Sequence, residues 1–445
     1  MSNDNKVFSF QQALVGDRWL ENVCIEVSDG IIQSIENTNQ NTFDRKNSAV
    51  EKTHSLIALP GMVNVHSHAF QRAFAGMSEY ATAARDSFWT WRSLMYQFVE
   101  SITIKRVATI ARQLYREMLA AGYTWVGEFH YLHHVAGQSG VDSAMEMAGA
   151  VVNAAKEVGI GICLLPAAYQ RGGFKDQPLV GGQTQFELDD EQYCELLTRC
   201  WQRWDSEPNV RVGVALHSLR AISEASAKRI LHQLAMDHPG REFPIHVHIA
   251  EQLAEIEDCI SEHDERPVDF LLNRFNVNHR WCLIHATHMS PTELSRLATS
   301  DAVVGLCPTT EANLGDGIFL ADSFLEQAGT FSIGSDSHCS IDLREELRWM
   351  EYVQRLQRRQ RAVLGNEEQS VGRRLYCGAA EGGAQAIGID GGVIEVGRSA
   401  DFTLVDPNHP AIGAVQGDRV LDRLIFTNVG NPVAGVVVGG CLHLS

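Results

Sequence analysis

Short apolar runs, most of them closed by a polar side chain, recur through the middle of the chain at 57–68, 123–131, 159–169, 210–217, 244–249, 281–288, 302–308 and 330–336. Most are followed by a stretch whose apolar positions repeat at helical spacing: 104–121, 144–158, 191–204, 224–238, 253–275 and 343–361. Strand and helix alternating in this way over roughly 300 residues predict a (β/α)8 barrel of the TIM type. The two ends differ. Val7–Phe10, Ala13–Val15, 23–27 and 31–35 read as strands, with Asp29-Gly30 as a hairpin turn between the last two. Residues 36–54 are polar and read as a surface loop, and 401–405 and 435–440 read as strands between Gly, Pro and Asn turns. The expectation is α/β: a barrel over 59–384 and a small β-sandwich assembled from 1–58 and 385–445.

In such a barrel chemistry gathers at the C-terminal strand ends. His66 and His68 close the first run, Glu128 and His130 the second, His217 the fourth, His248 the fifth, His285 the sixth and Asp336 the eighth. All of these polar ends are expected at one mouth. Side chains two apart on a strand share a side, so His66 and His68 can offer two imidazoles to one metal ion. With His248 and Asp336 they make a zinc-type donor set that leaves room for water if the site expands to five-coordinate, and the metal brings the pKa of that water down to about 7. No lysine lies in 159–169 or 210–220 to bridge a second ion, so one zinc per chain is expected.

Glu251 follows His248 by three residues and can reach that water as a general base that later serves as an acid. A helix N-terminal acid would occupy the same position. His285 is a candidate for polarising the electrophile, and Asp336 for taking a proton from the water. His246 shares the parity of His248 and is assigned a structural role.

Composition narrows the partners. A formal charge of −18 over 445 residues speaks against nucleic acid and anionic membranes. No run of about 18 apolar residues reads as a membrane span. Ten cysteines without Cys-x-x-Cys pairs, several inside apolar runs, suit a reducing cytoplasm. A homodimer is expected, with 343–361 either a barrel helix or part of its contact.

The stretches Leu59-Pro60-Gly61 leading into His66-Ser67-His68, His248-Ile249-Ala250-Glu251, His285-Ala286-Thr287-His288 and Gly334-Ser335-Asp336 together resemble the amidohydrolase superfamily, in the branch that deaminates amidines and purine-like rings. His66–Arg72, Phe88–Arg92, Glu128–Tyr131, His217–Ala221 and Thr309–Gly317 are similar to those members that act on a linear amidine bearing two carboxylates, in histidine breakdown. The resemblance implies zinc on His66, His68, His248 and Asp336, catalysis by Glu251 and His285, and a small dicarboxylate substrate facing Gln71, Arg92, Tyr131, His217 and Arg220. A protein this acidic needs local cations to hold a dianion, and arginine forks match carboxylates. Arg220 follows the fourth strand end, and Arg92 is expected in a Trp-rich loop with Phe88, Trp89 and Trp91 that packs over the site or lids it. A purine-like ring is the alternative substrate.

Overall fold

The structure, a computed structural model, describes residues 5–37, 49–51, 53–77, 79 and 88–444, without the side chains of 49, 50, 88–90 and 93. Eight parallel strands follow one another in chain order: Met62–Ser67, Tyr123–His130, Gly161–Ala168, Val214–Ser218, Ile245–Ile249, Trp281–His285, Val303–Leu306 and Thr330–Ile333. Every position of Tyr123–His130 and Gly161–Ala168 is buried. Strands covered on both faces read as unbroken apolar runs, which is why they were visible in the sequence. The last strand closes on the first at the mouth, where Asp336 N–H donates to the His66 carbonyl across 3.0 Å. Gly334 permits that approach, because a Cβ there would lie 2.8 Å from the His66 backbone nitrogen.

The helices follow local chemistry. Ile104–Ala121 starts where the Thr103 hydroxyl accepts the Arg106 N–H at 3.2 Å and stops at Gly122, whose φ of 101° is left-handed. The stretch 253–275 is two helices, Leu253–His263 and Pro267–Arg274. Pro267 has no N–H to continue the first helix and opens the second at its first turn. Leu343–Arg358 turns Leu347 and Met350 into the core and leaves Trp349, Tyr352 and Leu356 exposed.

Both chain ends enter one mixed sheet. Lys6–Val15 pairs antiparallel with Arg18–Ser28, and that strand with Ile31–Asn37 through Asp29 and Gly30, both at positive φ. From the far end come Phe402–Val405, Val433–Val438 and Cys441–Leu444. The run at 57–68 is divided at Gly61. Ile57–Pro60 joins this sheet between Lys6–Val15 and Phe402–Val405, and Met62–Ser67 opens the barrel. Of the polar stretch 36–54, residues 38–48 and 52 lie outside the described residues, and Ala49–Glu51 pairs with Lys6–Val15. The sheet has its own core, in which the Phe402 ring meets Phe8 and Phe10 edge-on at 6.0 and 5.8 Å. Trp125 Nε1–H donates to Asp401 across 3.0 Å and ties barrel to sheet.

Among the described residues no helix is long and apolar enough to cross a membrane. All ten cysteines are free, and seven are buried.

Candidate active site and metal centre

Four side chains from three strand ends and the residues just beyond the first converge inside the mouth. His66 Nε2 stands 3.0 Å from His248 Nε2. Asp336 Oδ1 lies 3.5 Å from His66 Nε2 and 3.4 Å from His68 Nε2. Asp336 holds this place with a φ of 45°, in the sparsely used left-handed region.

The hydrogen bonds behind these rings show what they are set up for. His68 Nδ1–H donates to the Phe129 carbonyl and His248 Nδ1–H to the His217 carbonyl, each at 2.8 Å. That fixes both tautomers with the Nε2 lone pairs aimed inward. Burial first, and neighbouring imidazoles after it, hold His66 and His248 well below the ordinary histidine pKa. Burial also lowers His68, although Asp336 and the Phe129 carbonyl pull the other way. Neutral, inward lone pairs crowded around one carboxylate repel one another unless a cation sits among them. These nitrogen and oxygen donors suit a divalent transition ion: His66, His68 and Asp336 form one buried group able to hold one, and His66 is shared with a second such group, His66, His248 and His285.

Two further groups stand at its edge. His285 Nε2 is 3.7 Å from Glu251 Oε1 and 3.8 Å from Asp336 Oδ2. Burial opposes a charge on His285, but Glu251, the hydrogen bond that its Nδ1–H donates to Glu311, and Asp336 outweigh it and raise its pKa to about 10. Burial raises the Glu251 carboxyl, partly offset by His285 and Arg220. Glu255, one helical turn on, accepts the N–H groups of Ala250 and Glu251 at 3.1 and 3.2 Å and so fixes the backbone that carries Glu251.

His68, His248, Asp336, Glu251 and His285 line one pocket together with Gln71, Arg92, Tyr131, His217 and Arg220, and His66 adjoins it through its contact with His248. Every residue singled out from the sequence for the metal, for catalysis or for substrate is thus brought to one place. Gln71 donates to the Tyr131 hydroxyl across 2.7 Å. Arg92 stands on the helix Phe88–Val99, not in a loop. Trp91, Met95 and Val99 recur every four residues along that helix, a spacing that favours a turn of helix packed on the core. The side chains of Phe88 and Trp89 lie outside the described residues. The Arg92 guanidinium donates to the Tyr96 hydroxyl, to the Tyr169 hydroxyl at 3.4 Å and to the Gly172 carbonyl at 3.3 Å.

Glu128 and His130 do not join the mouth. Phe129 is the inward residue of that strand, with its ring 5.1 Å from His66 and 4.5 Å from His248, so its neighbours point to the opposite side. Glu128 instead accepts from the Ser67 hydroxyl and Ala69 N–H at 2.7 Å each and from the Tyr115 hydroxyl at 3.1 Å, bracing the end of the first strand. His130 packs against His133, and burial lowers its pKa to about 4. His246 is structural, with Nε2–H donating to the Ala386 carbonyl at 2.7 Å.

Trp91 lines the pocket, as the sequence suggested, but Met95, Tyr96, Tyr169, Phe186 and Leu314 line it without having been assigned to it. Tyr169 directly follows the third strand, and that position could have flagged it. Phe186 comes from a short helical turn, Gly181–Phe186, with no periodic signal.

The model of the amidohydrolase family matches residues 57–442. The chain belongs to the amidohydrolase family. A formimidoylglutamate deiminase of Pseudomonas aeruginosa is 45% identical over 97% of this chain and 92% of its own length. An amidohydrolase of Brucella melitensis superposes with a TM-score of 0.90 at 41% identity, over 99% of this chain and 95% of that one. An adenosine deaminase of Xanthomonas campestris solved with bound zinc shares the fold, with a TM-score of 0.80 at 21% identity over 99% and 93%. This amidohydrolase therefore carries its family's barrel and a buried His/Asp metal site in one chain.

Proposed function

We propose that this amidohydrolase converts N-formimidoyl-L-glutamate and water to N-formyl-L-glutamate and ammonia, a step of histidine breakdown, with one zinc ion per chain. The observation that carries the reading is the likeness to the Pseudomonas aeruginosa deiminase, which spans nearly the whole chain. The pocket supports it with metal donors and Glu251 in the same space as Arg92 and Arg220, which suit the two carboxylates of a linear amidine.

Zinc held by His66, His68, His248 and Asp336 would make hydroxide available from water at neutral pH and draw electron density from the amidine. Glu251 takes the proton given up as the oxygen adds to the formimidoyl carbon. Its raised affinity for a proton suits a group that must accept one and return it. Asp336, with one oxygen toward His66 and His68 and the other toward His285, is the neighbouring acceptor. His285 stabilises charge as the carbon becomes tetrahedral. Glu251 then passes its proton to the terminal nitrogen, the second proton of the added oxygen moves through Asp336 to the same nitrogen, that C–N bond breaks, ammonia leaves and the oxygen becomes the formyl carbonyl. Arg92 and Arg220 hold the carboxylates, while Gln71, Tyr131 and His217 orient the chain between.

Ten free thiols suit the cytoplasm as the site of action. The exposed face of Trp349, Tyr352 and Leu356 offers an apolar surface for a homodimer, which light scattering would detect. The functional reading is tested by ammonia release from formimidoylglutamate, guanine and adenosine in parallel. Turnover with the linear amidine alone is expected; turnover with a purine and none with formimidoylglutamate would replace it.

A further inference from the structure

His285 leaves its strand with a φ of 70°, and Ala286 follows at 49°. Two successive left-handed residues that are not glycine are strained, and such strain persists only where other contacts hold it. One contact reaches the ring itself. Glu311, in the first turn of the helix Pro308–Leu314, places Oε1 3.2 Å from His285 Nδ1. The same oxygen accepts the Cys307 backbone N–H at 3.0 Å, so the carboxylate is held at the point where the seventh strand becomes that helix. Glu311 is buried, at 5% exposure, and it acts on the far side of the ring from the reacting groups, because His285 Nε2 is the atom that faces Glu251 and Asp336.

We propose that Glu311 is a positioning residue for deamination. By accepting the Nδ1–H of His285 it holds the ring so that Nε2 faces the reacting groups. This rests on the reading above that His285 acts in the reaction. The geometry repeats, on a different residue pair, the device that orients His68 and His248, but with a carboxylate in place of a carbonyl. A carboxylate that only capped its own helix would need the Cys307 contact and no other.

The test is a double-mutant cycle on the zinc-loaded enzyme with formimidoylglutamate. Glu311→Ala is expected to lower kcat about 10- to 100-fold, the usual span for a group behind an active imidazole, with KM within about twofold and zinc content unchanged. Glu311→Gln, whose amide oxygen can still accept both N–H groups, should recover most of the loss. In a His285→Asn background Glu311→Ala should cost less than about twofold further, since the ring it orients is gone. An equal cost in both backgrounds would assign Glu311 to the helix alone. The second arm needs no variant that could misfold: 15N spectra of the wild-type enzyme should show His285 protonated at Nδ1, and an unprotonated Nδ1 would overturn the proposal. Failure of the wild-type enzyme to release ammonia from formimidoylglutamate would remove the functional reading and leave the spectroscopic result standing.

Discussion

His66 and His248 bring their Nε2 atoms to 3.0 Å across the barrel mouth, from strands 182 residues apart in sequence. Burial, and after it the imidazoles around each ring, keep both rings neutral. Without a cation this is an unfavourable contact, so metal and fold should be linked. Chelation should abolish activity and lower the unfolding temperature by several degrees, and stoichiometric zinc should restore both. A ligand that binds only the folded state stabilises it by about 2.7 kcal/mol at a hundredfold excess over its Kd. Scanning calorimetry of the stripped and reloaded protein checks this.

Glu251 lies 3.7 Å from His285 and belongs to none of the buried groups able to hold a metal ion. Glu251→Gln should keep zinc at wild-type content and lose turnover by about 10²- to 10⁴-fold, the range for loss of a general acid–base group. Metal analysis beside kcat separates the two effects. A zinc-replete Gln variant with near wild-type turnover would remove Glu251 from the mechanism.

Arg92 and Arg220 are the cations of the pocket assigned to the dianion. Replacing either with methionine removes charge-assisted hydrogen bonds of about 1.5–3 kcal/mol. The expected loss in kcat/KM is about 10- to 150-fold, falling mainly on KM. Formimidoyl derivatives lacking one carboxylate should be insensitive to one of the two substitutions, which assigns each arginine to its end of the substrate.

Burial raises the pKa of Glu255 to about 6, although two backbone N–H groups and Arg220 favour its charged form. The folded protein then binds this proton more tightly than the unfolded chain, whose carboxyl titrates near the ordinary glutamate value. The contribution to stability is full below about pH 4.5 and is lost as pH rises through about 6. Urea midpoints measured from pH 4.5 to 7 should therefore show a component that falls with pH in the wild type and is missing from Glu255→Gln. A flat difference between the two proteins would contradict the raised value.

The barrel was legible because its strands are buried on both faces and its helices carry one apolar stripe, each giving its own period. The convergence of His66, His68, His248 and Asp336 was legible for a related reason: all four close apolar runs, and barrel topology sends such ends to one mouth. The same rule failed at Glu128 and His130. A strand end names a place but not a face, and only the packing of Phe129 against His66 and His248 shows which side is inward. Gly61 hid a change of sheet, because the run continues unbroken while its hydrogen-bond partners switch. Tyr96 and Phe186 reach the pocket from a helix and a loop turn whose local sequence records nothing of the distant strand ends they meet. Glu311 was visible within a matched stretch, but its bond to His285 spans 26 residues and two elements.

The most direct test of the account is a zinc titration of the metal-stripped protein, reading bound metal and ammonia release from formimidoylglutamate on the same samples. Four side chains around a single ion predict that both rise together and level off at one zinc per chain. Activity that needs a second equivalent, or a fully loaded protein that releases no ammonia, would contradict it.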